Sequence, residues 1–114
     1  MQLELCYNTS MKPTKETILQ KLRELKPQLK AEGIEHIALF GSYASEKPTP
    51  YSDIDIAIAK SEALRTEINA YGYFELLASL RENLRQTFHR KIDIFDLDSP
   101  SPFKKQIQSE LIYA

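Results

Sequence analysis

Asp53 lies twelve residues after Gly41 of the pair Gly41-Ser42 and is separated by one residue from Asp55, and a third acid, Asp93, follows in the run Lys91-Ile92-Asp93-Ile94-Phe95-Asp96-Leu97. Residues i and i+2 of a strand share one face, with Cα atoms roughly 6–7 Å apart. Carboxylates so placed offer hard oxygen ligands to magnesium, which often takes only one or two from protein and completes its shell with phosphate and water. Two such ions about 3.5–4 Å apart can hold both the attacking and the leaving oxygen of a displacement at phosphorus. A solvated strand face with two harmless acids is the rival reading. Against it, like charges at neighbouring same-face positions repel, and Asp disfavours strands.

Asp93 alternates with Ile92 and Ile94 as Asp53 and Asp55 alternate with Ile54 and Ile56. If the two strands are neighbours with their isoleucines in the core, Asp93 joins the pair on the polar face. Asp96, three residues further on, falls on the opposite face, where it caps or meets solvent, and Asp98 lies in the following turn. At Gly41, glycine permits positive φ and lets a phosphate approach the backbone. Ser42 adds a hydroxyl and an N–H, and a helical turn starting there would aim free amides at an anion. A strand-ending turn with a capping serine reads the same way, so the Gly-Ser pair alone does not discriminate. Together, the bend and the three acids are what a magnesium-dependent transfer from a nucleoside triphosphate requires.

Other motifs say less. His89-Arg90-Lys91 reads either as a phosphate or partner contact or as a solvated turn. Neither His36 nor His89 has zinc-site spacing, and no Gly-Lys-Ser/Thr signature follows Gly41.

The elements that must position these residues follow from periodicity. Ile18, Leu22, Leu25 and Leu29 predict an amphipathic helix over 14–32, with Thr14 as N-cap, Gly33 as its stop and a kink or break near Lys26, because Pro27 cannot donate to the helix ladder. Residues 34–40 read as a buried strand, 45–52 as a loop and 53–59 as a half-buried strand. Ile54, Ile56 and Ile58 face one way there, and Asp53, Asp55 and Ala57 the other. Residues 61–70 read as helix. Tyr73, Leu76, Leu77, Leu80, Leu84 and Phe88 form the stripe of a helix over 72–88. A strand over 91–97, a turn over 98–102 and a short helix marked by Phe103, Ile107 and Leu111 complete the chain. Interleaved strands and helices make the class α/β or α+β, a small sheet covered by helices.

The 114 residues suit one compact domain. Fifteen basic and sixteen acidic side chains leave a net charge of −1, so no global positive field holds a nucleic acid duplex. Cys6 is the only cysteine, which excludes an internal disulfide and fits a reducing cytoplasm. The longest apolar run is four residues, far short of a membrane span, and the polar start does not read as a signal peptide. Residues 1–11 read as an N-terminal extension.

The chain resembles the nucleotidyltransferase superfamily, whose pattern is Gly-Ser, a spacer, Asp-x-Asp and a third acid on a later strand. It is most similar to the minimal nucleotidyltransferase (MNT) proteins. The resemblance runs from Lys12 to the end, as a domain over 12–114. It includes the Leu39-Phe40-Gly41-Ser42 junction, Ser52-Asp53-Ile54-Asp55 and Arg90-Lys91-Ile92-Asp93. It implies a small mixed β-sheet of the polymerase-β palm type flanked by helices. It implies that Gly41 and Ser42 hold the triphosphate of ATP and that Asp53, Asp55 and Asp93 bind two Mg2+ ions. It also implies a partner, a HEPN-domain toxin, with AMP transferred from ATP to a tyrosine of that toxin and the chain acting as its antitoxin. Two positions depart from the family: Tyr43 stands where many members have Arg, and Glu46 where they have Gly. Two rival readings stay open: an antitoxin that neutralises its partner by binding alone, and a drug-modifying nucleotidyltransferase completed by a partner subunit.

Overall fold

The computed structural model describes residues 12–49, 51–62 and 70–114. The expected extension over 1–11 lies outside the described residues, as does most of the helix expected over 61–70.

Helix α1 spans Lys15–Ala31. Its N-cap Thr14 and Thr17 form a reciprocal capping box, with the Thr17 N–H donating to Thr14 Oγ1 at 3.1 Å and the Thr14 N–H donating to Thr17 Oγ1 at 2.9 Å. The chain leaves the helix through Gly33 at φ 105°, as the stop signal predicts. The break expected near Lys26 does not occur, because α1 runs unbroken through Pro27. Pro27 and Arg23, whose carbonyl loses its donor there, are on the solvent side, while Leu22 and Leu29 are buried on either side of the proline. The freed carbonyl is on the solvent side, and packing of the buried leucines holds the helix together.

Strand β1 (Ile34–Phe40) follows. It leads directly into a one-turn helix α2 (Gly41–Ala44). Strand β2 is Ile54–Lys60, helix α3 is Ala70–Phe88 and strand β3 is Ile92–Asp96. Helix α4 (Phe103–Ile107) runs into a 3-10 turn over Gln108–Glu110 and then a two-residue strand β4, Ile112–Tyr113. That last strand corrects the sequence reading, which continued the C-terminal helix to Leu111 and stopped there. The sheet order is β3-β2-β1-β4, with β2 and β3 parallel and the other pairs antiparallel. The fold is therefore α+β, with a four-stranded mixed sheet. The parallel pair needs a long crossover, which contains α3.

One sheet face carries the main core. Ile54, Ile56 and Ile58 are fully buried there against Ile18, Leu22, Leu84 and Phe88 of α1 and α3. The opposite face is not the open polar surface that the Asp-Ile alternation suggests. Ala57 is fully buried on it, in a second, smaller cluster with Phe40, Leu97 and Ile107. Phe103 adds edge contacts to Phe40 (6.1 Å) and Phe95 (5.2 Å). The C-terminal segment thus covers part of this face. Among the described residues, no helix is long and apolar enough to cross a membrane.

Candidate active site

Asp55 and Asp93 lie side by side on that second face, with Asp53 at the entry to β2. Ile54 pairs with Ile92 across the parallel strands, so Asp55 pairs with Asp93. The antiparallel register on the other side sets Asp55 opposite Phe40, the residue before Gly41. Asp55 therefore has Asp93 on one flank and the glycine bend on the other. Asp53 lies in the connection just before β2, and Asp93 is exposed on β3.

Gly41 starts α2 at φ 79°, and a Cβ built there would fall 3.0 Å from Asp55 Cγ and closer still to Oδ2. Glycine is required twice, for the backbone conformation and for the space the carboxylate occupies. Phe40 precedes the turn as N-cap without a side-chain hydrogen bond, so the first amides of α2 carry no side-chain cap. Ser42 is half-buried, and its carbonyl accepts from the Lys47 N–H at 2.9 Å and from Ser45 Oγ at 3.1 Å. Tyr43 is buried, 3% exposed, in the main core. Glu46 sits at φ 61°, with its carboxylate 3.8 Å from Lys15 Nζ. The missing glycine is thus absorbed as a left-handed glutamate.

Burial, then the negative charges of Asp93, Asp53 and Glu110, push the Asp55 carboxyl up to about 6. No cation offsets this among the forces acting on Asp55. Glu110 is the residue the sequence reading missed. It lies in the 3-10 turn between Ile107 and Leu111, both of which pack in the Phe40–Ala57 cluster. No local pattern marks it, because it is brought near Asp55 by the packing of those two neighbours.

The donor set fits a divalent cation: hard carboxylate oxygens, one of them half-buried and electrostatically uncompensated. As placed, no three acidic, histidine or cysteine side chains among the described residues close on a single point. The fit rests on ligand type and on the charge that a cation would neutralise.

Asp96 lies apart from these acids, facing the helices as its parity predicts. It accepts from the Tyr73 hydroxyl (2.7 Å), pairs with Lys60 Nζ (2.9 Å) and accepts from the Asp98 N–H (2.8 Å). Lys60 also lies over the Tyr73 ring, 4.7 Å from its centroid. Burial opposes ionisation of Asp96, but the hydrogen bonds from Lys60, Tyr73 and Asp98 outweigh it and hold the carboxyl below its ordinary range. This network ties β2, β3 and α3 together at the opposite end of the strands from Asp55 and Asp93.

Comparison with known proteins places these features. A family model described as polymerase beta, nucleotidyltransferase matches residues 17–114. Two proteins of Methanocaldococcus jannaschii, provisionally named protein adenylyltransferases, are 36% and 34% identical over 101 residues, covering 87% of this chain and 92% of each of theirs. A solved structure provisionally named a minimal nucleotidyltransferase superposes with a TM-score of 0.65 at 21% identity, over 88% of this chain and 95% of that one, a likeness of fold. A chain of a mutant MntA–HpeT toxin–antitoxin superposes with a TM-score of 0.55 at 25% identity, over 90% of this chain and 72% of that one.

Proposed function

This chain belongs to the polymerase beta nucleotidyltransferase family, and on that premise we propose that it is a magnesium-dependent transferase moving AMP from ATP to a hydroxyl of a protein partner, a tyrosine of a HEPN-domain toxin. The observation that carries the reading is the Asp55–Asp93 register with Gly41 against Asp55. The adenylyltransferase relatives and the toxin–antitoxin neighbour supply the donor and the kind of partner.

Asp53, Asp55 and Asp93 would hold the divalent ions, with Glu110 adding negative potential behind them. Bound there, magnesium would neutralise charge at the α-phosphate and align the attacking oxygen. The Gly41-Ser42 bend would receive the triphosphate, its uncapped amides meeting phosphate oxygens where no Cβ intervenes. Positioning and charge neutralisation would supply most of the rate, because this transfer needs no covalent intermediate on the protein. The site of action is the cytoplasm, where ATP and such a toxin meet.

The test is transfer of label from α-labelled ATP to the co-purified partner. Asp53→Asn/Asp55→Asn should abolish it while leaving the complex intact. Equal labelling by that double variant overturns the catalytic role. Loss of labelling with full protection of cells from the toxin would instead establish neutralisation by binding alone.

A further inference from the structure

The chain's own tyrosines differ in exposure and in place. Of the tyrosines whose side chains are described, Tyr43 is buried and the Tyr73 hydroxyl is bound to Asp96. Tyr113 is 53% exposed, two strands away from Asp55 across the sheet, with its ring edge-on to His36 at 5.8 Å. Tyr51 is 91% exposed. Exposed aromatics standing singly are ordinary on a protein surface. What distinguishes Tyr51 is where it is held. It lies two residues before Asp53, so the two Cα atoms are at most about 7 Å apart.

The turn that carries Tyr51 is fastened. The Thr49 N–H donates to Ser52 Oγ at 2.8 Å, and the Ser52 N–H donates to the Thr49 carbonyl at 3.0 Å. The two hydroxyls lie 3.2 Å apart, and the Tyr51 N–H donates to Thr49 Oγ1 at 3.2 Å. A closed turn thus presents a phenol to solvent two residues from Asp53.

We propose that Tyr51 is a self-modification site, whose hydroxyl takes the adenylyl group from ATP at the Asp53–Asp55–Asp93 site. The inference rests on the transferase reading given above. The phenolic oxygen bonds to the α-phosphorus while the bond from that phosphorus to the bridging β-phosphate oxygen breaks. Pyrophosphate leaves with the electron pair, and the phenolic proton passes to solvent. No reactant beyond the nucleotide and the divalent ion is needed. A copy so modified carries a nucleotide beside its own triphosphate bend, where it competes with incoming ATP.

The purified full-length chain, with and without its partner, is incubated with ATP and Mg2+ and examined by intact mass and peptide mapping. One adenylyl group should appear on the Tyr51 peptide. It should fall to background in Tyr51→Phe and persist in Tyr113→Phe, while Tyr51→Phe still labels the partner as the unaltered chain does. A labelled partner with an unmodified Tyr51 overturns this inference and leaves the transferase intact. Label on neither chain removes both. If Tyr51 only stacks on the base, Tyr51→Ala will raise the KM for ATP with no covalent adduct, which also overturns it.

Discussion

Gly41 and Asp55 are built as one unit: the carboxylate of Asp55 occupies the volume that a side chain at Gly41 would fill. Strand pairing enforces the contact, since Phe40, the residue before the glycine, is the sheet partner of Asp55. The glycine bend and the Asp55 strand therefore cannot drift apart without breaking the sheet.

Gly41→Ala should be damaging for two separable reasons. Its φ of 79° is unfavourable for any L side chain, a cost of about 1–2 kcal/mol. The new methyl also displaces the Asp55 carboxylate. Urea denaturation should show the stability loss, and transfer to the partner should fall further than that loss accounts for.

Asp55 is held at a cost to the fold. Burial and the neighbouring negative charges raise the Asp55 carboxyl from its ordinary 3.8 to about 6 in the folded chain. Between those values the native state holds more protons than the unfolded chain, so the stability contributed by Asp55 is present below about pH 4 and declines as pH rises toward 6. Asp55→Asn should raise the Tm at neutral pH, lose that advantage in acid, and abolish transfer. Activity of the unaltered chain should rise with pH through the same window. In thermal melts, Mg2+ should stabilise the unaltered chain more at neutral pH than in acid, because binding only the ionised native form pulls the equilibrium toward it.

Tyr73→Phe tests the network at the other end of the strands. The Tyr73 hydroxyl donates to an Asp96 carboxylate that also holds Lys60. Removing one hydrogen bond to a charged group should cost about 1–2 kcal/mol. Chemical denaturation should reveal it, with kcat unchanged, because this network lies away from Asp55 and Asp93.

Glu46→Gly should stabilise the chain. Glu46 adopts φ 61°, and relief of that conformation, less the entropy glycine loses on folding, should gain about 0.5–1 kcal/mol. The exposed pair with Lys15 at 3.8 Å contributes little to offset this. A higher urea midpoint with an unchanged m-value would show it.

Much of this was legible along the chain, because local physics writes local patterns. Thr14 and Gly33 mark the ends of α1 through backbone groups that need partners. The isoleucines of β2 and β3 announce their buried face by a period of two, and that same period assigns Asp93 and Asp96 to opposite faces. What periodicity could not convey is which strands are neighbours and what covers them. The pairing of Asp55 with Asp93, the burial of Ala57, the approach of Glu110 and the strand Ile112–Tyr113 all arise from segments distant in sequence. Pro27 shows the same limit in reverse: its local preference to break a helix yields to the leucines packed on either side of it. Sequence determined the residues, their faces and the chemistry they can perform. Tertiary structure alone decided which of them meet, because contact between remote segments is set by burial over the whole sheet and leaves no trace in any short window of residues.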